Sequence, residues 1–255
     1  MEGAEVYNGT QRLPGFDLYV FQKAYLSKES RRLIKGLAAA RAGGAPIMLA
    51  FDLCDPDHLL SATHRERLLD VLPLFDFATA PTAPLVKWLR RYLPAFEIPD
   101  RVWFAEPEFP ERRAPNPTRK PRCVWAGYEG NAGPLETMLP DIKALGLPVD
   151  TVLIERPVPF RTFWQMVTTR DILLNPRPEV GLYSYKSDNK TFIAWWLGIP
   201  VARTVEELAG LIDPEARRRE VNRRRVYVKR FANVHLSAWQ WGRAYNREKL
   251  EGGIK

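Results

Sequence analysis

The chain has 255 residues, 45% hydrophobic and 27% charged, a globular mixture long enough for one large domain or two small ones. It contains no apolar run long enough to cross a bilayer, and residues 1–15 lack the basic-then-apolar pattern of a secretory leader. Two cysteines, Cys54 and Cys123, exclude a disulfide framework or a cysteine-rich zinc site and point to a reducing, cytoplasmic setting. The net charge of +8 is concentrated: residues 213–255 hold 12 Lys/Arg against 5 Asp/Glu.

In chain order, short apolar segments alternate with helical ones, the pattern of parallel strands covered by helices. Strands are expected at 16–22, 46–52 and 75–80, with a fourth extended segment at 96–104. Helices are expected at 28–41, 61–72 and 82–92. The alternation stops in a proline-dense stretch, Pro107, Pro110, Pro115, Pro117 and Pro121, which suits neither a helix nor a central strand. It then restarts, with strands at 122–126, 149–154, 171–175 and 199–202. The helices between and after them are expected at 131–145, 159–167, 188–197 and 204–211, followed by a basic helix over 214–249. These limits predict a Rossmann-like first domain over 1–106, a linker over 107–121, a Rossmann-like second domain over 122–212 and a helical tail over 213–255.

Ligands of open α/β sheets bind beyond the carboxyl ends of the strands, so the residues after each strand carry the functional expectations. Lys186, Ser187, Asn189, Lys190 and Thr191 open the helix at 188–197. Free backbone N–H groups, the positive end of the helix dipole and two ammonium groups suit a diphosphate there. An ordinary capped helix with two surface lysines accounts for the same residues equally well. Gly127, Gly130 and Gly133 form a G-x-x-G-x-x-G turn after the strand at 122–126, which is not the dinucleotide fingerprint G-x-G-x-x-G. Asp52, Asp55, Asp57 and His58 crowd the end of the second strand. Asp55, Asp57 or His58 could take a proton from an acceptor hydroxyl, although for any one of them a polar turn, with Asp55 or Asp57 capping the following segment, is the commoner role. No second cluster supplies further metal ligands, so no metal site is expected. Glu155, ending the strand at 149–154, is a candidate for a ribose or base contact, or one half of a surface Glu-Arg pair.

An ordered series in the second half resembles the nucleotide-sugar-binding domain of GT-B glycosyltransferases. It comprises Trp125-Ala126-Gly127, then Asp171-Ile172-Leu173-Leu174-Asn175-Pro176, then Lys186–Lys190, then a helix closing in Ala194-Trp195-Trp196-Leu197-Gly198-Ile199-Pro200-Val201. The resemblance implies two Rossmann-like domains facing a cleft, with a C-terminal helix returning to the first. It implies a nucleotide-sugar co-substrate, a UDP-sugar foremost, and no tightly bound cofactor. It also implies that Ser187, Asn189 and Lys190 lie near the pyrophosphate, with Gly127 in the cleft and Pro176 near the nucleoside. The acceptor would dock near Asp55, Asp57 and His58. The pair of glutamates seven residues apart that marks retaining members is absent from the corresponding segment.

The expected activity is therefore sugar transfer to a hydroxyl acceptor without a metal: a glycan, a lipid-linked glycan or a hydroxymethylated base in DNA. Arg217, Arg218, Arg224 and Arg225, with aromatic residues behind them, are the candidate surface for phosphates of DNA or an anionic membrane. A solvated helix face is the alternative for the same arginines. A nucleic-acid-binding protein without catalysis is the rival from another class.

Overall fold

The computed structural model describes residues 16–102, 109–111, 114–118, 120–154, 158–178 and 180–251. It is an α/β protein with two four-stranded parallel sheets. The chain divides into two compact units. The first holds the described residues up to Asp100, together with Val180–Ser187 and the chain from Ser237 onward. The second holds the described residues from Arg101 to 178, and Asp188–Leu236. The two segments that sequence limits place in the second domain and in the tail are thus each shared between units.

In the first unit β1 (Leu18–Gln22), β2 (Met48–Asp52), β3 (Phe77–Ala80) and β4 (Ala95–Glu97) lie side by side in chain order. Between them run α1 (Lys28–Ala42), α2 (Ala62–Val71) and α3 (Ala83–Leu89). Each helix starts where a small polar residue can cap it. Ser27 accepts a hydrogen bond from the Ser30 N–H at 2.9 Å, and Ser61 accepts one from the His64 N–H at 3.2 Å. The crossovers step in one direction across the sheet, and right-handed crossovers then place every connecting helix on the same face. Leu49, Phe51 and Ala78 join Ile34, Leu37, Leu68 and Leu85 in that core. The other face, with Ala50 and Phe77 buried on it, is covered by α9 (Val234–Glu251) through Ala244 and Trp241. A parallel sheet needs both faces covered, and the chain supplies the second cover from its far end.

In the second unit β5 (Cys123–Gly127) is flanked by β6 (Val149–Leu153) on one side and β7 (Ile172–Leu174) on the other, with β8 (Val201–Ala202) beyond β7. The helices are α4 (Gly133–Ala144), α5 (Phe160–Thr168), α6 (Asn189–Leu197), α7 (Val205–Gly210) and α8 (Pro214–Phe231). Ile142 of α4 and Leu208 of α7 pack in one core. Trp164 of α5, Ala194 of α6 and Val228 of α8 pack in another. The strand order reverses between β5 and β7, so this unit has a topological switch point where its two central strands end.

Two expectations change. The extended segment at 96–104 shortens to β4, because Pro99 follows it; Val102 instead pairs in a parallel bridge with Asn233 of the second unit. The single tail helix becomes two. Helix α8 ends at Phe231, and Asn233 restarts the chain by accepting a hydrogen bond from the His235 N–H at 3.0 Å.

Candidate functional site

In the second unit the switch point lies beyond Gly127 and Asn175, and the amino end of α6 stands there. Lys190 donates from Nζ to the Ala126 carbonyl at 2.6 Å and lies 6.0 Å from the centre of the Trp125 ring. A β-carbon on Gly127 would lie 3.1 Å from the Trp125 ring and 3.6 Å from Lys190 Nζ, so glycine keeps this approach open. Thr191 is buried, and its hydroxyl accepts from Asn175 Nδ2 at 3.0 Å, locking the first turn of α6 to the end of β7. Asn189 and Pro176 are half-buried beside these groups.

Two arginines that sequence reasoning missed complete the arrangement. Arg177 follows β7 and Arg203 follows β8. Both guanidinium groups bind Oδ1 of Asp188, Arg177 at 2.7 Å. Asp188 is the N-cap residue, yet its side chain does not cap the helix, because both arginines hold it. Burial pulls the Arg177 pKa below its ordinary value, and the Arg203 charge adds to this while Asp188 opposes it. Three cations thus gather at a helix amino end, two of them sharing the Asp188 carboxylate. Their signal in the sequence was their position immediately past strands, not a motif.

Lys186 and Ser187 belong to the first unit and have partners there. Lys186 Nζ lies 2.9 Å from Asp55 Oδ1, and Lys23 Nζ lies 2.7 Å from Asp55 Oδ2. Lys23 adopts φ of +53°, the left-handed conformation that a lysine rarely takes, at the end of β1. Ser187 hydrogen-bonds the Asp100 carboxyl.

The carboxyl edge of the first sheet sorts its acids by environment. Burial raises the pKa of Asp55, but its two lysine partners outweigh that and leave it below the ordinary value. Asp52 accepts from Gln22 Nε2 at 2.9 Å and from the Thr79 hydroxyl at 2.6 Å. Burial nevertheless raises its pKa. Burial also raises Asp100, helped by the charges of Asp52 and Asp55 and opposed by Ser187. Asp57 is only 3% exposed and accepts a short hydrogen bond from the Tyr25 hydroxyl. His58 is 6% exposed and stacks on Trp88 at 4.1 Å between ring centres. Burial, reinforced by Arg65 and Arg91, lowers its pKa to about 4. Burial also pushes the Cys54 thiol up to about 12, so it is no nucleophile at neutral pH.

Glu155 lies outside the described residues. The tail arginines separate. Arg217 is not at the surface: it is fully buried, and its guanidinium donates to the carbonyls of Leu211 and Ile212 at 2.7 Å each and of Asn116 at 2.8 Å. Its role is to tie the proline-rich segment to α7 and α8. Arg218 pairs with Glu215 at 2.5 Å. Arg224 pairs with Glu220 at 2.5 Å and lies over the Trp195 ring at 4.3 Å. Arg225 is half-buried. Among the described residues no group of three or more His, Cys, Asp and Glu is placed to hold a metal ion, and no helix is long and apolar enough to cross a membrane.

No protein-family model and no curated protein matches the chain. Among solved structures, the chain is similar to one described as the glycotransferase of kitacinnamycin. The identity is 12% and the TM-score 0.39, over 91% of this chain and 76% of that one.

Proposed function

We propose that this chain is a glycosyltransferase that moves a sugar from a nucleotide-sugar donor to a hydroxyl acceptor. The carrying observation is the amino end of α6 at the switch point of the second sheet, with Lys190, Arg177 and Arg203 around it. The donor diphosphate takes up the backbone N–H groups of the first turn of α6, Asn189 to Thr191, and the charge of the three cations. These cations stabilise the negative charge that builds on the leaving diphosphate, the work a divalent ion does in other transferases. Gly127 leaves the backbone accessible to the ligand, and Pro176 borders the nucleoside. UDP-sugars are the first donors to test.

The acceptor belongs to the first unit. A base must be deprotonated at neutral pH and still bind a proton well. Asp52 and Asp100, whose proton affinity burial raises, are better placed for this than Asp55 or His58. Asp55 is neutralised by two lysines, Asp57 is occupied by Tyr25, and the His58 imidazole is too weakly basic. Asp55 instead fixes Lys23 and Lys186 in place.

Thermal-shift titration with UDP, GDP, ADP, their sugars and NAD tests the reading. A nucleoside diphosphate should raise the melting temperature of the wild-type chain. Lys190→Ala and Arg203→Ala should each weaken that binding roughly tenfold, the loss of one charge-assisted contact to phosphate. Unchanged affinity in both variants, or no response to any nucleoside diphosphate, would sink the proposal.

A further inference from the structure

The first unit contains an open pocket of about 640 Å³ that the donor reading does not use. Arg65 of α2, and Lys87 and Arg91 at and just past the end of α3, stand around it, and among the described residues its lining includes no carboxylate. Among the described residues none of these three cations has a carboxylate partner, in contrast to Lys23 and Lys186 nearby in the same unit. The remaining wall is apolar or aromatic: Leu59, Ala83, Pro84, Trp88 and Tyr185. His58 completes it, 94% buried between the face of Trp88 and the edge of Tyr185. Its Nδ1 is shielded from solvent and has no hydrogen-bond partner among the described residues. A buried polar nitrogen without a partner is costly, and three unneutralised cations around one cavity repel each other. The unneutralised cations call for an anion with hydrogen-bonding oxygens, beside a His58 ring whose charge state such an anion would shift.

We propose that this pocket binds the phosphate monoester of a substrate whose apolar or ring-shaped body lies along Leu59, Pro84 and Tyr185. A dianion matches three cations better than a single carboxylate does, and guanidinium groups pair with phosphate oxygens in a fork. That the occupant is the sugar acceptor rests on the transferase reading; that the pocket takes a phosphate does not.

The test is calorimetric titration of the full chain with three probes: inorganic phosphate, glucose 6-phosphate and octyl phosphate. At least one organic phosphate should bind more tightly than inorganic phosphate, and the tighter of the two tells a sugar phosphate from a lipid phosphate. The double variant Arg65→Ala, Arg91→Ala should bind it at least tenfold more weakly, with an unchanged melting temperature because both side chains are exposed. In the wild type, bound phosphate should raise the His58 pKa in an imidazole NMR titration. Equal affinity in wild type and variant, a His58 titration blind to the probe, or no binding at millimolar probe would overturn the proposal. UDP titrated in parallel separates the two hypotheses. If UDP binds and the phosphates do not, this pocket assignment alone fails; the reverse result removes the donor reading and leaves the pocket.

Discussion

Individual side chains here divide into those the fold consumes and those it leaves available. Arg217 is consumed: it is a buried cation whose partners are backbone carbonyls. Arg217→Met keeps the length and removes the donors, leaving carbonyls of Leu211, Ile212 and Asn116 without their partner at a cost of about 3 kcal/mol. Urea unfolding should show that loss, whereas Arg218→Met on the exposed face should cost under about 0.5 kcal/mol. His58 gives a pH signature. Its folded pKa, about 4, lies below the ordinary value of 6.5, so the unfolded chain binds the proton more readily. Its contribution to stability is complete above pH 6.5 and is lost as the pH falls toward 4, by up to about 3 kcal/mol. His58→Phe should flatten that part of the stability–pH curve, measured by urea unfolding at about pH 7 and about pH 4.5. An unaltered slope in the variant would assign it to other groups. Sequence alone could mark Arg217 and His58 as polar residues near strands or helices. It could not tell that one is surrounded by carbonyls and the other by an indole, because Asn116 and Trp88 lie far away along the chain.

Secondary elements were far easier to read than side-chain partners. The β/α alternation, the caps at Ser27, Ser61 and Thr204, and the glycine stop at Gly198 all follow local rules. Gly198, with φ of +90°, ends α6 where a left-handed residue is needed. The elements that differ are those where long-range packing outweighs local preference. Helix α8 breaks from α9 in a stretch whose composition supports helix throughout, and Val102 leaves the first sheet to pair with Asn233. The site shows the same limit. Lysines and glycines at strand ends attracted attention by motif, and Lys190 and Gly127 do share the end of β5 with α6. Arg177 and Arg203 have no motif; they converge on Asp188 because β7 and β8 are neighbours in the sheet. Asp52 and Asp100 became candidates only through burial, and the Lys186–Asp55 pair joins residues 131 positions apart.

At the scale of the whole chain, the C-terminal helix is a structural component of the first sheet rather than only a charged appendage. Trp241 packs on Phe77 with ring centres 6.1 Å apart, and Ala244 is 3% exposed against Ala50 and Phe77. Ser237 donates to the Pro99 carbonyl at 2.8 Å. Ala244→Glu should therefore place a charge against β2 and β3. Hydrogen exchange in those strands should accelerate by at least about tenfold, with the strands of the second sheet less affected. Equal protection in wild type and variant would show that α9 is dispensable for that sheet. Of the four tail arginines expected to form an anion-binding surface, one is buried and two are paired with acids on their own helix. A salt-dependent gel shift with duplex DNA is therefore expected to be weak.

The cover of the first sheet has a consequence for how the protein is made. In chain order β1 to β4 and their helices precede the strands of the second unit, and the helix that closes over Ala50 and Phe77 follows them. While those intervening residues are being made, the greasy sheet face has no lid of its own. A chain cut short before α9 would expose Ala50 and Phe77 and be prone to clump rather than act as a smaller working protein.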